Sequence, residues 1–66
     1  MRVIVNGIPS DVDEGATVAT LVAAHVEEHR RVAAAVNGDV VPRSAWASTV
    51  LRDDDSVEVL VPVAGG

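Results

Sequence analysis

The first half of the chain contains two short runs rich in β-branched residues, separated by turn residues. Apolar residues at helical spacing follow them. Arg2 to Val5 is followed by Asn6-Gly7, a pair typical of a type I′ turn because both central positions need a positive φ. Ile8 to Val12 is predicted to return as the second strand of a hairpin, and Pro9, which lacks an N–H, places that strand at a sheet edge. Thr17 is predicted to be a helix N-cap. The positions after it recur at helical spacing: Val18, Leu21, Val22, His25, Val26 and His29.

The second half of the chain predicts another hairpin and a short helical segment. Val32 to Val36 reads as a third strand, and Asn37-Gly38 repeats the turn signal of the first hairpin. Val40-Val41 then forms a short strand that Pro42 ends. We place a helical turn around Ser44 to Trp46, with the indole packed over one end of the core.

The last strand is predicted at Ser56 to Val61, after the acidic turn Asp53 to Asp55. Side chains alternate between the two faces of a strand, so Val57, Val59 and Val61 should share the buried face. Glu58 and Leu60 should then lie on the opposite face.

The order of elements predicts the fold class. Strand, strand, helix, strand, short strand, strand, with one apolar sheet face for one helix to cover, is the order of a ubiquitin-like β-grasp fold. We therefore expect an α+β protein in which a mixed sheet of four to five strands packs on one main helix. Residues 1–66 are expected to form a single domain with a flexible C-terminal tail at 62–66.

Size and composition limit the chemistry that the chain can support. With 66 residues, and Trp46 as the only aromatic residue, the core must be small and built from aliphatic side chains. A deep catalytic cavity is not expected. The absence of cysteine excludes thiolate metal sites and a cysteine nucleophile, and fits a cytoplasmic protein. No apolar run is long enough to span a bilayer, so no membrane association is expected.

The charge balance indicates the kind of partner. Ten acidic residues stand against five Lys or Arg, giving a formal charge of −5. All five basic residues are arginines, because the sequence contains no lysine. An acidic chain repels phosphate backbones, which argues against nucleic-acid binding and favours a basic protein partner.

The C-terminal residues suggest a reactive carboxylate. After Val61 the chain crosses Pro62 and ends in Gly65 and Gly66. Glycines lack Cβ atoms, so such a tail can enter a narrow channel and bring its α-carboxylate to a bound nucleotide. That carboxylate could attack the α-phosphate of ATP, and the acyl-adenylate could then be opened by a persulfide sulfur, a thiol or an amine. A frayed terminus without function remains the alternative.

Three other groups of residues are candidate sites. His25 and His29 stand four apart on the predicted helix, but no third ligand accompanies them, so no metal site is expected. We expect His25 to line the core edge and His29 to cap the last helical turn. Asp53 to Asp55 lacks the glycine and glutamate of a calcium loop and should be a solvated turn, with contact to a partner's arginines as the alternative. Ile4 and Leu60 should both face away from the helix and form an exposed apolar patch for a partner.

Several of these segments together resemble one family over essentially the whole chain, the ThiS family of sulfur carrier proteins of thiamin biosynthesis. The residues that carry the resemblance are Val5-Asn6-Gly7, Gly15-Ala16-Thr17-Val18, Leu21, Val36-Asn37-Gly38, Val41-Pro42-Arg43, Trp46, the acidic turn and Ala64-Gly65-Gly66.

The resemblance implies a carrier that is acted on by enzymes and is not itself an enzyme. An E1-like (ThiF-like) enzyme would adenylate Gly66, using ATP that the carrier does not bind stably, and sulfur from a persulfide donor would make a thiocarboxylate. Thiazole synthase (ThiG-like) would then receive the sulfur. Val63, Ala64 and Gly65 would thread into both partners, and the free carrier would be a monomer.

Three alternatives stay open. Val61-Pro62-Val63 resembles the tail of the molybdopterin synthase small subunit, so the sulfur could serve molybdopterin or cysteine synthesis, although those carriers are usually longer. A modifier joined to the lysines of target proteins is the second. A non-catalytic β-grasp interaction module is the third.

Overall fold

A computed structural model describes residues 1–26 and 31–61 of the chain. The elements follow the predicted order. They are β1 (Arg2–Val5), β2 (Ile8–Asp11), α1 (Val18–His25), β3 (Ala33–Val36), β4 (Asp39–Val41), a 3₁₀ helix (Arg43–Ser48) and β5 (Ser56–Leu60). None of the helices in the described part of the chain has the length and hydropathy needed to cross a bilayer.

The five strands form one mixed sheet in the order β2-β1-β5-β3-β4. β5 runs parallel to β1 and antiparallel to β3, while β1 with β2 and β3 with β4 form antiparallel hairpins. β2 lies at an edge, as Pro9 predicts. The last strand in the sequence therefore lies in the middle of the sheet, and the α+β architecture expected from the sequence is confirmed.

Both hairpins close through the predicted Asn-Gly turns. Asn6 and Gly7 have φ values of 50° and 83°, and Asn37 and Gly38 have 52° and 87°. Asparagine and glycine are the residues that adopt positive φ at the lowest cost, so these pairs fix the turn type and the register of each hairpin.

The helix begins where the sequence predicts and ends earlier. Thr17 caps it through a reciprocal pair with Thr20: each threonine hydroxyl oxygen accepts from the other residue's backbone N–H, at 3.3 and 2.9 Å. The expectation of helical positions beyond His25 is wrong at Val26, whose backbone is extended with φ −136° and ψ 127°. Residues 27–30, including His29, lie outside the described residues, so the predicted cap by His29 does too.

One apolar cluster lies between the helix and the inner face of the sheet. The helix contributes Val18, Leu21 and Val22, and the strands contribute mainly alternating valines. The remaining buried members of the cluster are Val3, Val5, Val32, Ala34, Trp46, Leu51, Val57 and Val59. Val61 was predicted to join this face and does not: its side chain is 54% exposed. β3 begins at Ala33, the partner of Leu60, so β5 has no β3 partner beyond Leu60.

The 3₁₀ helix closes one end of this core, as predicted for Trp46. The indole Nε1–H donates to the Val41 carbonyl oxygen at 2.8 Å, and the ring is 5% exposed. The Arg43 guanidinium carbon stands 5.2 Å from the ring centroid, within cation–π range. The only aromatic side chain is therefore held by both its polar atom and its face.

Candidate functional site

The candidate site is the end of β5, from which the chain continues to the predicted reactive terminus. Leu60 is the last strand residue and Val61 the last described residue. The predicted tail, with Val63, Ala64, Gly65 and Gly66, lies outside the described residues. The structure therefore defines only the root of the tail, by which we mean the end of β5 at Val59 and Leu60 together with Val61. The roles assigned to the tail residues stay predictions.

A side chain from the first hairpin holds this root. Asn6 Nδ2 donates to the Val59 carbonyl oxygen at 3.1 Å, and the Val59 N–H donates to Asn6 Oδ1 at 2.8 Å. β1 ends at Val5, and its turn carries the backbone away from β5. The side-chain amide of Asn6 thus makes the hydrogen bonds that one more backbone peptide of β1 would make. It extends the pairing of β5 on its β1 side.

The start of β5 is held by the matching asparagine of the second hairpin. The Asn37 N–H donates to the Ser56 carbonyl oxygen at 2.7 Å, and the Ser56 N–H donates to Asn37 Oδ1 at 3.0 Å. The turn rule accounts for both asparagines by their φ alone, so sequence reasoning missed their second role. The only sequence signal that could have suggested this second role is that both turn pairs begin with asparagine.

The acidic turn is tied to neighbouring elements by hydrogen bonds and is not simply a solvated turn. Asp55 Oδ1 accepts from Asn37 Nδ2 at 2.9 Å, and its Oδ2 accepts from the Arg52 N–H at 2.8 Å. Asp53 Oδ1 accepts from the Arg2 N–H at 3.0 Å. Asp53 and Asp54 are exposed, as the solvated interpretation predicts, and Asp55 is half-buried; Asp54 has a φ of 69°. The carboxylates of Asp53 and Asp55 also tie the turn to β1 and to the second hairpin.

Ile4 and Leu60 both lie on the outer face of the sheet but at opposite ends of β5. The register pairs Ile4 with Ser56, and Leu60 lies four residues further along, about 13 Å at the rise of a strand. Ile4 is half-buried, whereas Leu60 is 65% exposed. The two side chains therefore do not form one contact patch, because the parallel pairing of β1 with β5 separates them.

The apolar neighbours of Leu60 come instead from the second hairpin. Leu60 pairs with Ala33, and the outer-face position next along β3 is Ala35, whose partner is Val40. Val40 is 77% exposed. We call Leu60, Ala33, Ala35 and Val40 the outer apolar surface; Glu58, opposite Ala35, is the charged residue within it. The outer apolar surface lies beside the root of the tail.

His25 is part of no candidate metal centre among the described residues, and His29 lies outside them. His25 Nδ1 lies 2.9 Å from the Leu21 carbonyl oxygen, in the last helical turn, and the residue is exposed. The expectation that His25 lines the core edge is therefore wrong, since its ring bonds the helix backbone instead. Across residues 1–26 and 31–61, no group of three or more His, Cys, Asp or Glu could hold a metal ion.

An open groove of about 440 Å³ runs between α1 and the segment that precedes it. Its lining includes the acidic residues Asp11, Asp13 and Glu14 as well as Leu21. Three acidic residues in one groove repel the phosphates of a nucleotide. The groove is therefore unsuited to ATP.

The fold and the tail root define a small ubiquitin-like protein of the β-grasp class, whose last strand lies in the middle of the sheet and leads out to residues 62–66. Residues 3–66 match the model of the ThiS family. The chain belongs to the ThiS family, and the resemblance carried by the Asn-Gly pairs and the terminal glycines is confirmed.

Solved structures of a relative have the same fold over the whole chain. The crystal structure of the thiamine biosynthesis protein ThiS from Geobacter metallireducens is 39% identical, with a TM-score of 0.83 and complete coverage of both chains. An NMR structure of a thiamine biosynthesis protein from the same organism gives 39% identity and a TM-score of 0.82, covering all of this chain and 88% of that one.

A thiazole synthase from Paramagnetospirillum magneticum is also similar, at 29% identity over 66 residues. The match takes in all of this chain but 20% of that protein. The chain thus spans a fifth of the length of this curated relative.

Proposed function

We propose that this chain is a sulfur carrier of thiamin biosynthesis and that the carboxylate of Gly66 is its working group. The family match over residues 3–66, which includes the two terminal glycines, is the observation that carries the proposal. The ThiS likeness at 39% identity favours thiamin over molybdopterin or cysteine synthesis. The carrier is a co-substrate of its partner enzymes and performs no catalysis itself.

The proposed chemistry has three steps. A carboxylate oxygen of Gly66 attacks the α-phosphorus of ATP on an E1-like enzyme, and pyrophosphate leaves. The terminal sulfur of a donor persulfide then attacks the acyl carbon, and AMP leaves. A thiol breaks the remaining sulfur–sulfur bond, which leaves a thiocarboxylate on Gly66 and a disulfide on the donor. Because the first step consumes ATP, we place the reaction in the cytoplasm.

Thiazole synthase is the proposed acceptor of the sulfur. This assignment is supported by the relative named thiazole synthase, because a fifth of that protein's length is similar to the whole of this chain. Val63, Ala64 and Gly65 are proposed to thread into each partner, since residues without bulky side chains pass a narrow channel. No cofactor is required to stay on the carrier between the two partners.

Intact-mass measurement tests the carrier chemistry directly. The untagged protein would be isolated from its own cells under thiamin limitation, and its C-terminal peptide would be sequenced by mass spectrometry. We expect Gly66 to end the chain and one of its oxygens to be replaced by sulfur. An unmodified terminus, together with no adenylate formed from ATP and the E1-like enzyme, would contradict the proposal and favour an interaction module. High-mass adducts on other proteins would favour the modifier.

The outer apolar surface is proposed to contact the partners while the tail is inserted. Leu60→Asp places a charge in this surface and should weaken partner binding at least 10-fold, because the carboxylate must be desolvated in the complex. Ile8→Asp is the matched control, since Ile8 is 66% exposed but lies on the edge strand β2. Equal affinities of the two variants would refute the surface. Ile4→Ser tests whether the partner also reaches the far end of β5.

A further inference from the structure

We infer that Asn6 is a positioning residue for the tail: its side-chain amide fixes the point at which the chain leaves the sheet. The inference rests on the proposed function, since it concerns how the root of the reacting tail is held. Asn6 is 53 positions from Val59 in sequence, yet it contacts both polar groups of the Val59 backbone.

The geometry shows what would be lost without this contact. On the β1 side, the last backbone bond to β5 is the Asn6 N–H to the Val57 carbonyl oxygen, at 2.9 Å. Among residues 1–26 and 31–61, only the Asn6 side-chain amide bonds β5 from that side beyond this point, because Gly7 has already turned away toward β2. Removing the amide would leave Val59 and Leu60 paired with β3 alone. The end of β5 would then be an edge, free to fray on one side.

The position of the tail root matters because the tail is short. Six residues from Val61 to Gly66 reach about 20 Å when fully extended. A root that moves during docking changes the reach of the terminal carboxylate, and the partner must restore the lost order when it binds. The cost therefore falls on binding, so it should raise KM for the carrier and leave kcat unchanged.

The chain contains its own matched control. Asn37 occupies the same turn position with nearly the same φ, and its amide bonds Ser56 at the other end of β5. Asn6→Gly and Asn37→Gly each remove one amide, and each keeps a residue that tolerates positive φ. Only Asn6→Gly acts at the tail root. Asn6→Asp is a partial replacement, because its carboxylate still accepts from the Val59 N–H but repels the Val59 carbonyl oxygen.

The test is ATP–pyrophosphate exchange with the E1-like enzyme, run with each full-length carrier over a range of concentrations at which it is folded. We expect Asn6→Gly to raise KM for the carrier about 3- to 10-fold at unchanged kcat, with Asn6→Asp between it and the original protein. Asn37→Gly should leave both constants unchanged. Equal kinetics for Asn6→Gly and Asn37→Gly would overturn the inference. Failure of the unmodified carrier to be adenylated would refute the proposed function instead.

Amide hydrogen exchange measures the same contact without any partner. We expect the Val59 amide to exchange faster in Asn6→Gly and the Ser56 amide to exchange faster in Asn37→Gly. Unchanged protection of Val59 in Asn6→Gly would show that the amide does not hold the root and would overturn the inference, whatever the kinetics. If Asn6→Gly does not fold, Asn6→Asp takes its place in both experiments, with the same expected directions.

Discussion

Trp46 provides the sharpest test of how the small core is closed. Trp46→Phe keeps an aromatic ring at a site that is 5% exposed but removes the indole N–H that donates to the Val41 carbonyl oxygen at 2.8 Å. The lost hydrogen bond is worth about 1 kcal/mol. The smaller ring also buries about 40 Å² less apolar surface, which is worth about 1 kcal/mol more.

The expected loss of about 2 kcal/mol is large for a chain of this size. A domain of 66 residues has a free energy of unfolding of about 3 to 10 kcal/mol. With a urea m-value of about 1 kcal/mol per M, the unfolding midpoint should fall by about 2 M. Circular dichroism is the suitable probe, because the substitution removes the only tryptophan fluorescence.

Arg43→Gln is the matched control for this prediction. It removes the cation that lies 5.2 Å from the ring and leaves the indole hydrogen bond intact, so it should cost at most about 1 kcal/mol. A loss below about 0.5 kcal/mol for Trp46→Phe would refute the reasoning, because it would mean that neither the hydrogen bond nor the larger ring stabilises the fold.

Three further predictions concern the helix cap, the acidic turn and the net charge. Thr17→Ala should lower the free energy of unfolding by about 1 kcal/mol, whereas Thr17→Ser, which keeps the hydroxyl, should change it little; similar losses in urea melts would argue against the cap. Asp55→Asn should cost about 1 to 2 kcal/mol because one carboxylate contact is lost, while the same change at Asp54, exposed and outside that network, should cost less than about 0.5 kcal/mol. Equal melting temperatures of these two variants would contradict a stabilising role of the Asp55 carboxylate. The rate of association with the E1-like enzyme should fall as salt rises, since the chain carries −5; a rate independent of salt would exclude electrostatic steering.

Local signals were enough to predict the order of the elements. Each Asn-Gly pair requires positive φ at both positions, Thr17 precedes an apolar helical pattern, and Pro9 removes a donor from its strand. These rules act over a few residues, so they can be applied without knowing the rest of the fold. The helix end was mispredicted at Val26 because the spacing of apolar residues continued past the point where the backbone becomes extended.

The parts of the site that escaped prediction depend on contacts between distant residues. The Asn6–Val59 contact spans 53 positions, and the Asn37–Asp55 contact spans 18. The separation of Ile4 from Leu60 required the register of a parallel pair, which alternation within each strand does not give. Within the strands alternation correctly assigned Val57 and Val59 to the buried face and Leu60 to the outer face, but it failed at Val61, beyond the end of β5, and it does not give a residue's position along the sheet.

The central place of β5 links the order of synthesis to the presentation of the tail. β1, β2, β3 and β4 are all made before β5, yet the two hairpins they form are joined within the sheet only through it. A nascent chain that stops short of Leu60 has two separate hairpins, and two-stranded hairpins have little stability in water. The sheet can assemble only after its last strand has been translated, so an incomplete chain offers a partner enzyme neither a folded surface nor a terminus to activate.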